Sequence, residues 1–178
     1  MKSARTLLLA LAFTQIATTI AAAPAPPIPI PNARTPIEGV TSGGQPTPEQ
    51  IAAAGAAGYK TVINLRAPGE SGFDWEPAAV KAAGMDYVAI PVAGAAGLTK
   101  ENVTQLDAAL RQAAEKGPAL LHCSSGNRIG ALLALRSAWL EGMDPAAAIE
   151  LGRRSGLTGL ESTVREILGS GGPTAAPR

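Results

Sequence analysis

Short β-branched runs and longer stretches with helical periodicity alternate along the chain. Thr61-Val62-Ile63-Asn64-Leu65 is brief and apolar, as a buried strand is, and Met85 to Val92 and Pro118 to His122 read the same way. Between them, Thr47-Pro48-Glu49-Gln50 offers a capping Thr, a Pro at the first helical position and a Gln three residues on, so a helix is predicted over 48–57, stopped by Gly58. Asp74 can cap a helix running to about Ala83, and Thr99 caps another that ends at Gly117-Pro118. In that helix Val103, Leu106 and Leu110 form a stripe. Arg128 to Glu141 is apolar on more than one side, which predicts a buried central helix. Asp144-Pro145 opens a further helix, and Thr158 to Glu161 reads as the capping box of the last.

Alternating strands and helices imply right-handed crossovers. The fold class expected is α/β, three-layered, with a mainly parallel central sheet and helices on both faces. Ligands bind such sheets at the carboxyl ends of the strands. Asn64-Leu65-Arg66 and His122-Cys123 fall there.

The termini differ from this body. Lys2 and Arg5, the apolar stretch Leu7 to Ile20 and Ala21-Ala22-Ala23 read in order as a signal peptide over residues 1–23, cleaved between Ala21 and Ala23. A periplasmic or secreted protein with no membrane span after processing is expected, since the apolar stretch falls short of the roughly 18 to 20 residues that cross a bilayer. Residues 24–38 carry Pro24, Pro26, Pro27, Pro29, Pro31 and Pro36 and are expected to form an extended linker. The catalytic domain is then 39–169, and 170–178 is expected to be a disordered tail.

The 178 residues are 46% apolar but only 3% aromatic, so one core of Ala, Leu, Ile and Val is expected. A formal charge of +1, slightly negative once Lys2 and Arg5 are lost, provides no basic field for nucleic acid. One Cys and one His leave no metal-ligand cluster, and no cofactor is expected.

The single cysteine, Cys123, lies in Cys123-Ser124-Ser125-Gly126-Asn127-Arg128, between a buried strand and a helix start. Ser124, Ser125, Gly126 and Asn127 can curl into a nest of N–H groups that binds an anion. The helix dipole and the planar Arg128 fork add to it. The same cradle stabilises a thiolate and gathers the anion it attacks. His122, immediately before the nucleophile, is a candidate catalytic residue that would tune the thiolate through hydrogen bonds and positive charge, although on a strand its side chain points to the opposite face. Arg66 and Asp74 are candidates for the substrate rim, and Glu70, Asp74 and Glu76 are the carboxylates able to stand in for a general acid.

At this loop the chain resembles the cysteine-dependent phosphatase superfamily, whose signature is His-Cys, five residues, then Arg. Four residues separate Cys123 from Arg128, the spacing of rhodanese sulfurtransferases. Over residues 40–140 the chain looks like the bacterial β-lactamase-hydrolase-like protein phosphatase-like domain. That resemblance is carried by Ser42-Gly43-Gly44-Gln45-Pro46 with Thr47-Pro48-Glu49-Gln50, by Gly58 to Arg66, by Ile90-Pro91-Val92 and by His122 to Arg128. It implies a phosphatase-like fold and phosphate monoesters, as in tyrosine and dual-specificity phosphatases, cleaved through a Cys123 phosphocysteine. Dual-specificity phosphatases place their general acid on the loop that is Ala93-Gly94-Ala95-Ala96-Gly97 here, where no carboxylate occurs. Two other readings stand beside it: a rhodanese-like sulfurtransferase carrying a persulfide on Cys123, and a non-catalytic anion binder. The partner is accordingly a phosphorylated or sulfur-donor small molecule or protein.

Overall fold

The computed structural model describes residues 26–169. Strands β1 (Arg34–Ile37), β2 (Val40–Gly43), β3 (Thr61–Asn64), β4 (Asp86–Ala89) and β5 (Ala119–His122) form one sheet in the order β1-β2-β5-β3-β4. Only the β1–β2 pair is antiparallel. Helices α1 (Pro48–Ala56) and α2 (Glu76–Ala82) cover one face. The other carries α3 (Lys100–Lys116), α4 (Asn127–Glu141), α5 (Pro145–Arg154) and α6 (Glu161–Gly169). This is the three-layer α/β fold that the alternation of strands and helices predicts.

The period-2 alternation of β5 divides the core. Leu120 packs with Ile51, Val62 and Val80 under α1 and α2, whereas Leu121 packs with Ile63, Leu106 and Leu132 under the larger helical layer. Strand register then aligns the carboxyl ends: Gly43, His122, Asn64 and Ala89 lie in one row across β2, β5, β3 and β4. Every loop that follows those residues emerges at the same edge.

Local chemistry follows the predicted caps in several places. Thr47 and Gln50 close a reciprocal capping box, Thr99 accepts from Asn102 N–H, and Asp144 accepts from the amides of Ala146 and Ala147. Two caps differ. Asp74 does not cap α2, whose Ncap is Trp75 with no side-chain bond, because Glu76 in the first turn is drawn inward and sets the helix start. Glu161 does not turn back to Thr158; its carboxylate is held by Arg153 and Arg165.

The Pro-rich segment also differs from a linker. Pro27, Pro29 and Pro31 are exposed, while the intervening Ile28 and Ile30 are buried beside Ile51 and Val62, and Arg34–Ile37 forms the edge strand. An extended chain alternates its faces, so prolines on the outer face leave the isoleucines free to pack. Strand β2 is small and polar, Val40-Thr41-Ser42-Gly43, is buried along its whole length and is paired on both edges, with β1 and β5. The signal peptide and the tail expected at 170–178 lie outside the described residues.

The α4–α5 contact is close because Gly130 lacks a side chain. A Cβ there would lie 2.1 Å from Leu157 N and 2.5 Å from Gly152 O. Both are backbone atoms that cannot yield, so Gly130→Ala is expected to cost about 3 kcal/mol by overpacking. Urea unfolding of the two proteins measures the difference, and equal midpoints would contradict this account of the contact.

Candidate active site

β5 ends at His122, and the pleat sends the next side chain, Cys123, into the larger core at 1% exposure. The loop after it is pinned from the β2 side. Gly43 O accepts from Cys123 N–H at 3.3 Å, Ser124 O from Gln45 N–H at 3.4 Å, and Ser125 O from the Asn32 amide at 3.1 Å. Gly126, at φ 98°, takes the left-handed turn that starts α4. Its N–H donates to Cys123 Sγ at 3.1 Å. The sulfur therefore sits at the positive end of the α4 dipole.

Arg128, in the first turn of α4, reaches across to the ends of two other strands. Nη1 donates to Leu65 O at 3.3 Å and Val92 O at 3.0 Å. Its terminal nitrogens also clamp Glu70, with Nη1 to Oε1 at 2.5 Å and Nη2 to Oε2 at 2.8 Å. Ser124 Oγ accepts from Nη2 at 2.7 Å and donates to Glu70 Oε2 at 2.9 Å. The Arg128 guanidinium, helped by the Ala67 N–H, Ser124 and Arg66 and opposed by partial burial, holds the Glu70 carboxyl well below the usual carboxylate range. In turn Glu70, and after it the nearby Cys123, raise Arg128 further against desolvation. An opening of about 460 Å³ lies over this group, lined by Ala67, Glu70, Ala93, Gly94, Arg128 and Leu160 among others. The turn Gly94–Gly97 on its rim carries no carboxylate.

A cysteine at a helix start, an arginine across from it and a parallel sheet beneath constitute the geometry the motif predicts, and comparison with known proteins decides the family. Residues 32–139 match the model for the β-lactamase hydrolase-like protein, phosphatase-like domain. The chain belongs to this family. It is 35% identical over 117 residues to the β-lactamase hydrolase-like protein of Agrobacterium fabrum, and 36% over 96 residues to that of Xylella fastidiosa. These alignments take in 64% and 52% of this chain but 26% and 22% of the relatives, so the chain spans about a quarter of their length. Among solved structures, a DUF442 protein of Shewanella putrefaciens superposes with a TM-score of 0.60 at 24% identity, covering 80% of this chain and 94% of that one. P. aeruginosa TpbA with a Cys→Ser substitution, in complex with phosphotyrosine, gives 0.56 at 20% identity, covering 74% and 78%. Tk-PTP in its active form gives 0.58 at 18%, covering 80% and 97%. These likenesses establish the fold.

Within this phosphatase-like domain the predicted site residues take distinct places. Cys123, Ser124, Ser125, Gly126 and Arg128 are together at the loop. Asn127 is there too, but its side chain braces the domain by accepting from Thr158 N–H at 2.9 Å and Leu160 N–H at 3.3 Å. His122 faces the α1–α2 side, fully buried, with Nε2 2.9 Å from Glu76 Oε1 in a contact too bent for a hydrogen bond. Glu76, also fully buried, accepts from Gln45 at 3.0 Å, Asn64 at 2.6 Å and Tyr87 at 3.3 Å, which removes it from the opening altogether. Burial, and next to it the Glu76 charge, push the Tyr87 phenol up, an Asn64 bond opposing them.

Arg66 is not a free rim cation. It donates to Gln45 at 2.8 Å, Glu70 at 3.2 Å and Ser71 O at 2.6 Å, and lies 4.5 Å over the Phe73 ring. Asp74 is exposed and does not line the opening, because α2 begins two residues later with Glu76 turned inward and leaves Asp74 outside. Glu70, read from the sequence only as a substitute acid, is the centre of the group. It lies four positions after Arg66, but no spacing rule links it to Arg128.

Because its folded value is depressed, Glu70 contributes stability that is fully present above the unfolded carboxylate value of about 4.3 and is lost as pH falls below it. Glu70→Gln should therefore flatten the acid limb of stability against pH, by on the order of 1 kcal/mol after solvent screening. Urea titrations from neutral pH down into that range measure it, and parallel limbs for the two proteins would contradict the pairing.

Proposed function

We propose that this domain is a cysteine-dependent phosphatase acting on phosphate monoesters through a phosphocysteine at Cys123. The observation that carries this reading is the Gly126 N–H donated to Cys123 Sγ at the start of α4, with Arg128 opposite. The sulfur attacks phosphorus in line with the ester oxygen. Loop amides and Arg128 stabilise charge that develops on the phosphoryl oxygens, and water then releases phosphate. The phosphotyrosine held by the structurally similar TpbA supports an aryl ester as substrate.

A second reading, sulfur transfer through a persulfide on Cys123, draws on the four-residue spacing and on the rim turn without a carboxylate. Sulfur transfer needs no general acid, and a tight loop accommodates one added sulfur.

Aryl phosphates are expected to turn over, and phosphoserine-type esters far more slowly near neutral pH, because an alkoxide is much the more basic leaving group and depends more heavily than a phenolate on receiving a proton, which no residue of the site supplies. Cys123→Ser should abolish the activity, and Arg128→Lys should lower kcat/KM at least about tenfold by losing the planar fork. Steady-state assays measure both. Thiocyanate formed from thiosulfate and cyanide, with no phosphate release, would instead select the sulfurtransferase. Full turnover by Cys123→Ser would exclude Cys123 as the nucleophile, and anion binding by the wild type without turnover of either substrate class would select the anion-binding reading. Export forms part of this proposal, resting on residues 1–23, and N-terminal sequencing of the native protein should find a start just after one of Ala21 to Ala23.

A further inference from the structure

The arrangement at the opening poses two problems for phosphate chemistry. Two side-chain donors of the loop, the end of the Arg128 guanidinium and the Ser124 hydroxyl, already hold an anion, the Glu70 carboxylate. In addition, the turn Gly94–Gly97 supplies no acid, and Glu70, the one carboxylate lining the opening, accepts five hydrogen bonds and has no proton to give.

One substrate property resolves both. We propose that Glu70 is a specificity-determining residue that makes the site select phosphate monoesters in their monoanionic form, and that the proton such a substrate carries takes the place of the missing general acid. The inference rests on Cys123 as the nucleophile.

The charged groups that line the opening are Glu70 and Arg128; Arg66 is bonded to Glu70 beside it, and Cys123, taken as the thiolate nucleophile of the proposed reaction, lies buried at the base of the loop. Arg66 is committed to Gln45, Glu70 and Ser71. Val92 contributes a carbonyl to Arg128, Ala93 and Gly94 contribute no charge, and Leu160 from the α6 side is apolar. His122, Glu76 and Tyr87 lie behind the sheet. Two negative and two positive groups leave no surplus charge to offset a dianion, whereas a monoanion halves the excess.

The reaction balances with the groups present. As the S–P bond forms, the ester P–O bond breaks and its electron pair passes to the leaving oxygen, which takes the proton from a phosphoryl oxygen. The products are a neutral alcohol or phenol and a dianionic phosphocysteine. Water then cleaves the S–P bond, giving monoanionic phosphate and the thiolate.

Calorimetric titration of the full chain with inorganic phosphate, below and above its second ionisation, tests the charge selection. Sulfate is a dianion throughout and corrects for any effect of pH that does not come from the phosphate itself. The wild type should bind monoanionic phosphate about tenfold more tightly than the dianion, and sulfate weakly at both pH values. Glu70→Gln should erase that preference and tighten sulfate about tenfold. Equal wild-type affinity for the two phosphate forms, which needs no variant to measure, would overturn the proposal. So would a Glu70→Gln protein that binds both anions more weakly, since Glu70 would then serve only to orient Arg128.

The proton is tested by kcat/KM for phenyl phosphate. It should fall about tenfold per pH unit above the substrate's second ionisation near pH 6, and an undiminished rate there would refute substrate protonation. A charge preference in binding with no turnover at any pH would count against the phosphocysteine reading alone and leave the role of Glu70 standing.

Discussion

The Arg128–Glu70 pair joins the three loops that form the opening. Arg128 belongs to the first turn of α4, its carbonyl partners Leu65 and Val92 follow β3 and β4, and Glu70 follows β3. Parallel register brings those strand ends into one row, but a row of loop starts does not by itself orient a side chain. A planar cation with parallel donors does so, because it is satisfied only when its acceptors lie in its own plane. The positions of Ser124, Arg66 and the 66–73 turn follow from this pair.

The polar contacts continue behind the sheet. Glu70 is bonded to Arg66, Arg66 to the Gln45 carbonyl, and the Gln45 amide to Glu76, which lies against His122. A fully buried carboxylate is costly unless its oxygens are matched by donors, and Gln45, Asn64 and Tyr87 supply them. Residues on both faces of β5 are therefore tied to one chain of contacts that runs around the strand end. The small residues of the loop fit between its two ends, and Gly126 supplies the backbone turn that brings an amide to the sulfur.

Read together, the two sides of the sheet divide the work. The side carrying α1 and α2 holds the polar supports of the strand ends, and the side carrying α3 to α6 holds an apolar core against which Cys123 and Ile129 are packed. The loop is thus braced by hydrogen bonds on one side and by packing on the other. Gly130, two residues past Arg128, brings α5 and the α5–α6 connection against the start of α4, and Asn127 fastens that connection through Thr158 and Leu160.

Local patterns along the chain were enough to read the layer architecture, the caps at Thr47, Thr99 and Asp144, and the loop from Cys123 to Arg128. Periodicity, capping and turn chemistry act over a few residues and can be seen in order along the sequence. The alternation of Pro27, Ile28, Pro29 and Ile30 was equally local, but its burial depended on a sheet face that only the folded chain provides. The roles of Glu70 and Glu76 were decided by tertiary structure alone. Both sit in one loop-to-helix stretch with Asp74, and nothing in their spacing distinguishes a carboxylate clamped by Arg128 from one buried against His122 or one left in solvent. Which partner each meets depends on strand register and on the crossing of helices more than forty residues away in the chain, and an ion pair between distant positions leaves no periodic trace in the residues that form it.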